Sequence, residues 1–365
     1  MTELLEVLRA RIAEQGPITL ADYMGTALGH PQFGYYSTRD PLGLAGDFIT
    51  APEISQVFGE LIGLWAAVTW GQIGGPQPLR LVELGPGRGT LMADMLRAGG
   101  TLPGFTAAVE VHLVETSAAL RHCQERTLEE ASVSVTWHES VETLPEGPLV
   151  IVANEFFDAL PVRQLRRTAE GWGEHGIGLD PNGDALVPVL LPAPQEAVDQ
   201  IPPALLSVEE GAIVEINPAA RSVMHHLAQR LVRFGGAFLA IDYGHAHSAA
   251  GDTVQAVKAH EYHPILTDPG TADITAHVDF EALAQEARKA GAVALGPITQ
   301  RDLLIRLGIG PRLETLAASA TEHQVTEMMQ AVARLTEDDQ MGTLFKALAV
   351  THPLVFLVPG FEGEM

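Results

Sequence analysis

A glycine-rich turn between a predicted strand and a predicted helix constrains this chain most. Residues 81–90 are Leu-Val-Glu-Leu-Gly-Pro-Gly-Arg-Gly-Thr, and helical spacing of apolar residues resumes over 91–97. Gly85 and Gly87 remove the Cβ atoms that would keep a ligand away from the backbone, and Gly89 permits tight contact between helix and strand. The N-terminus of the helix offers free N–H groups. The pattern therefore predicts a ligand-binding turn in an α/β domain.

The spacing of the glycines narrows the choice of ligand. A phosphate-binding Walker loop needs Gly-Lys-Ser/Thr at its end, which is absent, and the third glycine comes one residue too early for the dinucleotide fingerprint. Glu83 near the strand end, followed by Gly-x-Gly-x-Gly, resembles motif I of class I S-adenosylmethionine (AdoMet) methyltransferases. A tight turn without a ligand, and a nicotinamide-dependent dehydrogenase, remain the alternatives at this point.

Composition limits the class of protein and its partners. The chain has 365 residues, 46% of them hydrophobic, and can bury a sizeable core. The formal net charge of -24 disfavours nucleic acid as a partner. Cys123 is the single cysteine, which indicates a reducing compartment. The sequence contains neither an apolar run long enough to span a membrane nor a signal peptide, so we expect a cytoplasmic protein without stable membrane insertion.

Acidic residues follow two further predicted strands. Glu115 ends the second strand, where a carboxylate is placed to bind both ribose hydroxyls of a nucleoside; alternatively, it supplies negative charge to the start of the next helix. The apolar strand 149–153 is followed by Asn-Glu-Phe-Phe-Asp at 154–158. Because the carboxyl ends of strands in an open α/β sheet form the ligand crevice, these two carboxylates and two aromatic rings are predicted to be functional.

The order of patterns predicts an interrupted α/β fold. We expect an N-terminal helical region with a cofactor-covering loop over 1–78 and the first half of the core over 79–161. An antiparallel insertion is predicted over 162–216, a continuation of the core over 217–245, and a second insertion, a helical segment and the terminal core strands over 246–365. The terminal strands are predicted at 344–350 and 354–358, and a long helix at 54–72.

Several motifs together resemble the MidA family of class I methyltransferases. They are residues 46–55 (Gly-Asp-Phe-Ile-Thr-Ala-Pro-Glu-Ile-Ser), 81–90, 112–115, 154–161, 242–245 and 270–280, and they occur in matching order along nearly the whole chain. The family includes the mitochondrial complex I assembly factor credited with protein arginine methylation. The resemblance implies a Rossmann-like sheet with insertions after its fourth and fifth strands, AdoMet as the cofactor, and symmetric dimethylation of an arginine on a complex I subunit. The absence of a presequence suggests a bacterial member whose substrate need not be the same.

Chemistry and resemblance together assign roles to individual residues. A guanidinium is protonated at neutral pH and is a poor nucleophile, so carboxylates must hold it and receive charge as its proton leaves. Glu155 and Asp158 are predicted to be catalytic. Residues predicted to bind the cofactor are Glu83, Gly85, Gly87, Arg88, Gly89, Thr90, Glu115, Asp47 and Thr50. Residues predicted to contact substrate are Glu53, Asn154, Phe156, Tyr243, His245 and His277, and no metal site is predicted.

Two functional alternatives stay open beside protein arginine methylation. One is methylation of a small molecule, and the other is a non-catalytic assembly protein that retains the AdoMet pocket. The sequence predicts a protein substrate but identifies neither the substrate nor the oligomeric state.

Overall fold

Strands and helices alternate along most of the chain in the computed structural model, which describes residues 2–38, 50–355 and 357–364. The strands are β1 Ile18–Thr19, β2 Leu79–Leu84, β3 Val109–Val114, β4 Val135–His138, β5 Leu149–Asn154, β6 Arg163–Thr168, β7 Gly171–Leu179, β8 Leu186–Pro192, β9 Ile213–Ile216, β10 Gly236–His245, β11 Gln255–Lys258, β12 Glu261–His263, β13 Asp273–Thr275, β14 Val278–Asp279, β15 Val293–Thr299 and β16 Phe345–Thr351.

The helices are distributed between these strands and before them. They are α1 Glu3–Gln15, α2 Leu20–Gly29, α3 Tyr35–Thr38, α4 Ala51–Ile54, α5 Gln56–Gln72, α6 Thr90–Gly99, α7 Phe105–Ala108, α8 Ala118–Thr127, α9 Gln195–Val198, α10 Pro218–Phe234, α11 Phe280–Lys289, α12 Gln300–Arg306, α13 Ile309–Ala317, α14 Glu322–Thr336 and α15 Met341–Leu344. Within the described part of the chain, every helix is too short or too polar to cross a membrane.

The chain divides into two compact units. The core unit comprises 49–157, 223–246 and 278–365, and the insertion unit comprises 1–48, 158–222 and 247–277. The core unit contains a mixed sheet in the order β15-β16-β10-β5-β2-β3-β4. Strands β4, β3, β2, β5 and β10 are parallel, whereas β16 runs antiparallel to both β10 and β15. This sheet confirms the predicted α/β, class I methyltransferase architecture.

Strand β5 lies at the centre of the sheet because its sequence suits burial on both faces. All six of its residues are buried, as expected for an apolar strand of a parallel sheet covered by helices. One face packs against α5 and α6 through large side chains that include Phe58, Trp65 and Met95. The carboxyl ends of β2, β3 and β5 consequently lie side by side, since the three strands are parallel neighbours.

An ion-pair cluster joins three helices of the core unit. Glu60 on α5 is only 2% exposed, and its carboxylate accepts hydrogen bonds from Arg312 Nε at 2.6 Å and Gln56 Nε2 at 2.9 Å, with Arg97 as a further partner. Burial alone would raise the pKa of Glu60, but hydrogen bonds from Arg312, Gln56 and Arg97 lower it to about 2. The carboxylate is therefore ionised at neutral pH and links α5, α6 and α13.

The insertion unit gathers three separated segments of the chain around its own core. In the antiparallel sheet of this unit, hydrogen bonds connect the strands along the path β1-β7-β6-β9, and β8 also pairs with β7. A smaller sheet has the order β12-β11-β13. Helices α1 and α2 contribute Leu4, Leu8 and Tyr23 to the core of this unit. Thr19 begins α2 with a capping box completed by Asp22.

The long helix expected over 54–72 is confirmed as α5, which begins after Ser55; the extended backbone of Ser55 ends α4, and its side chain caps α5. One prediction of secondary structure was wrong. A second terminal strand was expected at 354–358, but the described residues of this range do not form a strand. The strand that pairs with β16 on the side away from β10 is β15, which precedes the terminal helices in the chain. The sequence did not predict β15, because polar and apolar residues alternate too weakly over 293–299 to indicate a strand. The five-segment domain division stays a prediction.

Candidate active site

The glycine turn connects β2 to α6 with backbone that favours glycine. Gly85, Gly87 and Gly89 have φ values of 61°, 53° and 83°, which residues with a Cβ rarely adopt. The N–H of Gly85 donates to the carbonyl of Val114 at 3.0 Å, so the turn is attached to the end of β3. Gln124 Nε2 on α8 donates to the carbonyl of Gly87 at 2.8 Å. These contacts hold the turn open at the carboxyl edge of the sheet.

Two buried carboxyl groups lie at the ends of β2 and β3. Glu83 is 3% exposed, and its Oε2 accepts no hydrogen bond from the described residues. Burial and the nearby charge of Glu115 raise the pKa of Glu83 to about 8. A buried polar oxygen without a hydrogen-bond partner is costly, and it suits a ligand that supplies a polar group. The site therefore fits the polar end of a nucleoside-amino acid cofactor.

Glu115 has protein partners for both of its oxygens. Its Oε1 accepts from the N–H of Ser117 at 2.8 Å, and its Oε2 accepts from Gln124 Nε2 at 3.2 Å. Burial raises the pKa of Glu115. The contact with Ser117, the N-cap of α8, is the helix-start role that the sequence offered as an alternative. A carboxylate has about four acceptor sites, so this contact is compatible with the predicted binding of ribose.

Glu155 occupies an unusual backbone conformation directly after β5. Its φ is 52°, and its N–H donates to the carbonyl of Ile241 on β10 at 2.9 Å. Its Oε1 accepts from the N–H of Ala51 at 3.1 Å and from Asn154 Nδ2 at 3.0 Å. Asn154 Oδ1 is buried and has no donor within the described ranges. A left-handed conformation of a non-glycine residue is strained, and such strain concentrates at functional sites.

Asp242 fixes the backbone that carries these residues, and sequence reasoning gave it no role. It is fully buried on β10, and its Oδ2 accepts from the N–H groups of Phe156 at 3.2 Å and Phe157 at 3.0 Å. Its Oδ1 accepts from the N–H of Tyr243 at 2.9 Å. The signal available in the sequence was an acid in the strand exit Asp-Tyr-Gly-His at 242–245, but no local pattern identifies its partners.

The aromatic residue after Glu155 contacts the glycine turn. A Cβ built on Gly85 would lie 3.0 Å from Cδ2 of Phe156. The exit of β5 and the turn after β2 are therefore in direct contact, as the parallel register of the two strands requires. This brings together Gly85, Glu155 and Phe156, which the sequence predicted separately for cofactor, catalysis and substrate.

The segment before α5 also reaches this site. Thr50 is the N-cap of α4, and Glu53 Oε1 accepts from Thr90 Oγ1 at 2.6 Å. Glu53 was predicted to contact substrate and Thr90 cofactor, and the structure joins the two side chains at the start of α6. Together with the bond from Ala51 to Glu155, this places α4 over the glycine turn and the exit of β5. Asp47 lies outside the described residues.

The remaining predicted residues are more dispersed. Arg88 is half-buried within the turn, and His245 ends β10 beside β14. The ring of Tyr243 lies in the hydrophobic core, 5.5 Å from the ring of Phe345, rather than at the open edge of the sheet. Asp158 and His277 belong to the insertion unit: the Asp158 carbonyl accepts from the N–H of Ala276 at 3.0 Å, and the His277 N–H donates to Thr253 Oγ1 at 2.9 Å. Their predicted roles stay predictions.

A glycine turn with buried carboxyl groups beside it suits a nucleoside-containing ligand, and sequence comparison identifies the class. The profile of S-adenosyl-L-methionine-dependent methyltransferases matches residues 61–298. The chain belongs to this methyltransferase family. Its resemblance to MidA is confirmed by curated relatives named protein arginine methyltransferase NDUFAF7, mitochondrial: the zebrafish (Danio rerio) protein is 37% identical over 96% of this chain and 87% of its own length, and the human (Homo sapiens) protein is 38% identical over 96% and 83%.

Solved structures agree with the family assignment. A Burkholderia thailandensis protein crystallised with S-adenosyl-homocysteine is 30% identical to this methyltransferase, with a TM-score of 0.83 over 99% of this chain and 93% of that chain. The native crystal structure of a protein from the same organism is 31% identical, with a TM-score of 0.84 over 99% and 94%. The expected fold and the expected cofactor, AdoMet, are both confirmed.

The predicted cellular compartment was wrong. We expected a cytoplasmic protein, but the curated relatives that match this methyltransferase are labelled mitochondrial. Composition reports the redox environment and the lack of membrane-spanning segments, and it does not distinguish one reducing compartment from another.

Proposed function

We propose that this methyltransferase transfers a methyl group from AdoMet to an arginine side chain of a protein. The names of the curated relatives, protein arginine methyltransferase, support this substrate class. The geometry that supports it is the carboxylate of Glu155, which is oriented by the N–H of Ala51 and by Asn154 Nδ2 beside the glycine turn. A fixed carboxylate can bind a guanidinium through charge-assisted hydrogen bonds.

Glu155 would act by holding the guanidinium and by accepting the proton that the guanidinium loses during methylation. When bound, AdoMet supplies a methyl group activated by its sulfonium. Transfer requires an aligned nucleophile, so the main task of the protein is positioning. The donors from Ala51 and Asn154 limit the rotation of the carboxylate, and Asp242 limits the movement of the backbone after it. The carboxylate can thereby hold one nitrogen in line with the methyl group and accept its proton.

The cofactor would be held by residues of the core unit. We assign the methionine and ribose end to Glu83 and to the backbone of the glycine turn, the ribose hydroxyls to Glu115, and the methionine carboxylate to Arg88. Glu83 Oε2, a buried oxygen without a hydrogen-bond partner among the described residues, supports the first of these assignments. A role for Asp158 as a second carboxylate remains a prediction, as do substrate contacts by Glu53, His245 and His277.

The finer identity of the substrate rests on the MidA resemblance alone. A subunit of respiratory complex I is the proposed protein, and symmetric dimethylation is the proposed pattern. One experiment tests both the substrate protein and the methylation pattern, because the methylated protein and the isomer of dimethylarginine are identified in the same digest.

The test separates cofactor binding from transfer. The wild type, Glu155→Gln and the exposed control Glu322→Gln at the start of α14 are titrated with S-adenosyl-homocysteine by calorimetry. Each is then incubated with methyl-labelled AdoMet and an extract of cells lacking the protein, and labelled protein is digested for methylarginine analysis. We expect Glu155→Gln to keep its affinity for S-adenosyl-homocysteine and to lose roughly 10²–10⁴-fold in transfer rate. Glu322→Gln should resemble the wild type.

Other outcomes contradict specific parts of the proposal. An undiminished rate for Glu155→Gln would remove Glu155 from the mechanism. Label found in a small-molecule fraction, with none in protein, would favour the small-molecule alternative over a protein substrate.

A further inference from the structure

The insertion unit contains a cavity with a volume of about 460 Å³. This volume falls within the roughly 300–1,000 Å³ that is usual for ligand sites. The cavity lies on the face of the sheet formed by β6, β7 and β8, and α2 and residues 252–266 contribute its other walls. Its apolar lining includes Leu20, Ile177, Leu190, Val254, Ile265 and Leu266. The volume suits one large apolar side chain together with its backbone.

The polar groups of the cavity are held in one arrangement by Gln164. This buried side chain donates from Nε2 to Glu215 Oε1 and to Asp252 Oδ1, both at 2.7 Å. Its Oε1 must therefore accept, and it pairs with His175 Nδ1 at 2.8 Å. His175 consequently carries hydrogen on Nδ1 and presents Nε2 as an acceptor. Burial lowers the pKa of His175, which keeps the ring neutral.

Arg166 places a positive charge at the rim of the cavity. Its guanidinium is exposed and makes neither an ion pair nor a hydrogen bond with the described residues. The adjacent Arg167 faces the other side of β6, where it lies 5.6 Å from the ring centroid of Trp172 and donates to the carbonyl of Gly171 at 3.1 Å. The exposed guanidinium of Arg166 is therefore a group at the cavity that can pair with a carboxylate of a ligand.

The sheet edge beside the cavity is unsuited to binding a peptide as an added strand. Strand β8 pairs with β7 alone among the described strands, so its outer edge is open. Pro188 and Pro192 lack the N–H groups that an added strand would need, and proline is a usual protection of such edges. Leu190, between them, is 49% exposed and lines the cavity. Recognition here would depend on side chains entering the cavity.

We propose that this cavity binds a peptide segment of the protein substrate, with a leucine- or phenylalanine-sized side chain in the cavity and a neighbouring carboxylate on Arg166. A peptide N–H donates to His175 Nε2 in this arrangement. The inference rests on the proposed protein substrate and adds a second contact to it, away from the methylated arginine. Such a contact would select proteins that carry an apolar residue followed by an acid.

The experiment measures binding without any methyl transfer. The probe is the peptide acetyl-Gly-Leu-Asp-Gly-amide, capped at both ends so that its aspartate carries the only charge. Two matched peptides replace its aspartate by asparagine or its leucine by glycine. Dissociation constants are measured by ligand-observed NMR titration of the full chain, for the wild type, Arg166→Gln and the control Arg167→Gln, which has the same charge change on the opposite face.

We expect Arg166→Gln to bind the aspartate peptide about ten-fold more weakly than the wild type, because a charge-assisted contact is lost. Arg167→Gln should stay within about two-fold of the wild type. The asparagine peptide should bind the wild type as weakly as the aspartate peptide binds Arg166→Gln. The glycine peptide should bind more weakly still.

Three results would overturn the inference. They are no binding of the aspartate peptide by the folded wild type, equal weakening by both arginine variants, and binding of free N-acetyl-leucine at least as tight as that of the peptide, which would assign the cavity to a small molecule. The readout is independent of catalysis. Peptide binding without methylarginine would therefore refute the proposed function, and methylarginine without peptide binding would refute only this inference.

Discussion

Replacing Glu83 by Gln should change how the stability of the apo protein depends on pH. Burial and the nearby Glu115 raise the pKa of Glu83 to about 8 from a usual value of 4.5. The folded state therefore holds this proton more tightly than the unfolded state does. Its contribution to stability is fully present below about pH 4.5 and is lost as the pH rises toward 8. At about 1.36 kcal/mol per pH unit, the loss between about pH 5.5 and about pH 8 is roughly 3 kcal/mol.

The glutamine variant remains uncharged across this range and should not lose that free energy. The assay is urea unfolding of the cofactor-free protein at both pH values, for the wild type, Glu83→Gln and the control Glu110→Gln on the neighbouring strand β3. We expect the unfolding free energy of the wild type to fall by about 3 kcal/mol more than that of Glu83→Gln, and the control to follow the wild type. Parallel pH profiles for the wild type and Glu83→Gln would refute the reasoning. The same variant should bind S-adenosyl-homocysteine more weakly, measured by calorimetry.

Three further predictions follow from other contacts of the core unit. Glu60→Gln should abolish an acid-sensitive contribution of about 2 kcal/mol, after allowance for solvent, that is present above about pH 4.5 and lost toward pH 2; acid titration of unfolding free energy measures it, and an unchanged acid profile would contradict it. Asp242→Asn should cost about 1–3 kcal/mol of stability and reduce methyl transfer more than affinity for S-adenosyl-homocysteine; equal losses would assign Asp242 a purely structural role. Gly85→Ala should cost about 1–3 kcal/mol and weaken S-adenosyl-homocysteine binding, whereas Gly74→Ala, with positive φ but no atom within 4 Å of its Cβ, should weaken stability alone.

Much of the core unit was predictable because its signals are local. The run of apolar residues into Gly-x-Gly-x-Gly predicts β2, the turn and α6, and the structure has all three in that order. Such patterns depend on residues within a few positions of one another, where steric limits and backbone hydrogen bonds decide the conformation.

Distant pairings were not predictable by the same reasoning. Asp242 and Phe156 are 86 positions apart, and they meet only because β10 is the parallel neighbour of β5. Strand β15 was missed for a related reason, since its position beside β16 depends on the sheet and its own pattern is weak.

The sequence by itself determined the family, the cofactor and the order of the motifs, because these are carried by short runs of residues with fixed spacing. The tertiary structure decided which motifs meet: it joined Glu53 to Thr90 and Ala51 to Glu155, and it buried Glu83 beside Glu115. It also assembled the insertion unit from three segments, 1–48, 158–222 and 247–277, and so formed the cavity at Arg166. The physical reason is that burial, charge proximity and strand adjacency are properties of the packed chain, and no contiguous stretch of sequence contains them.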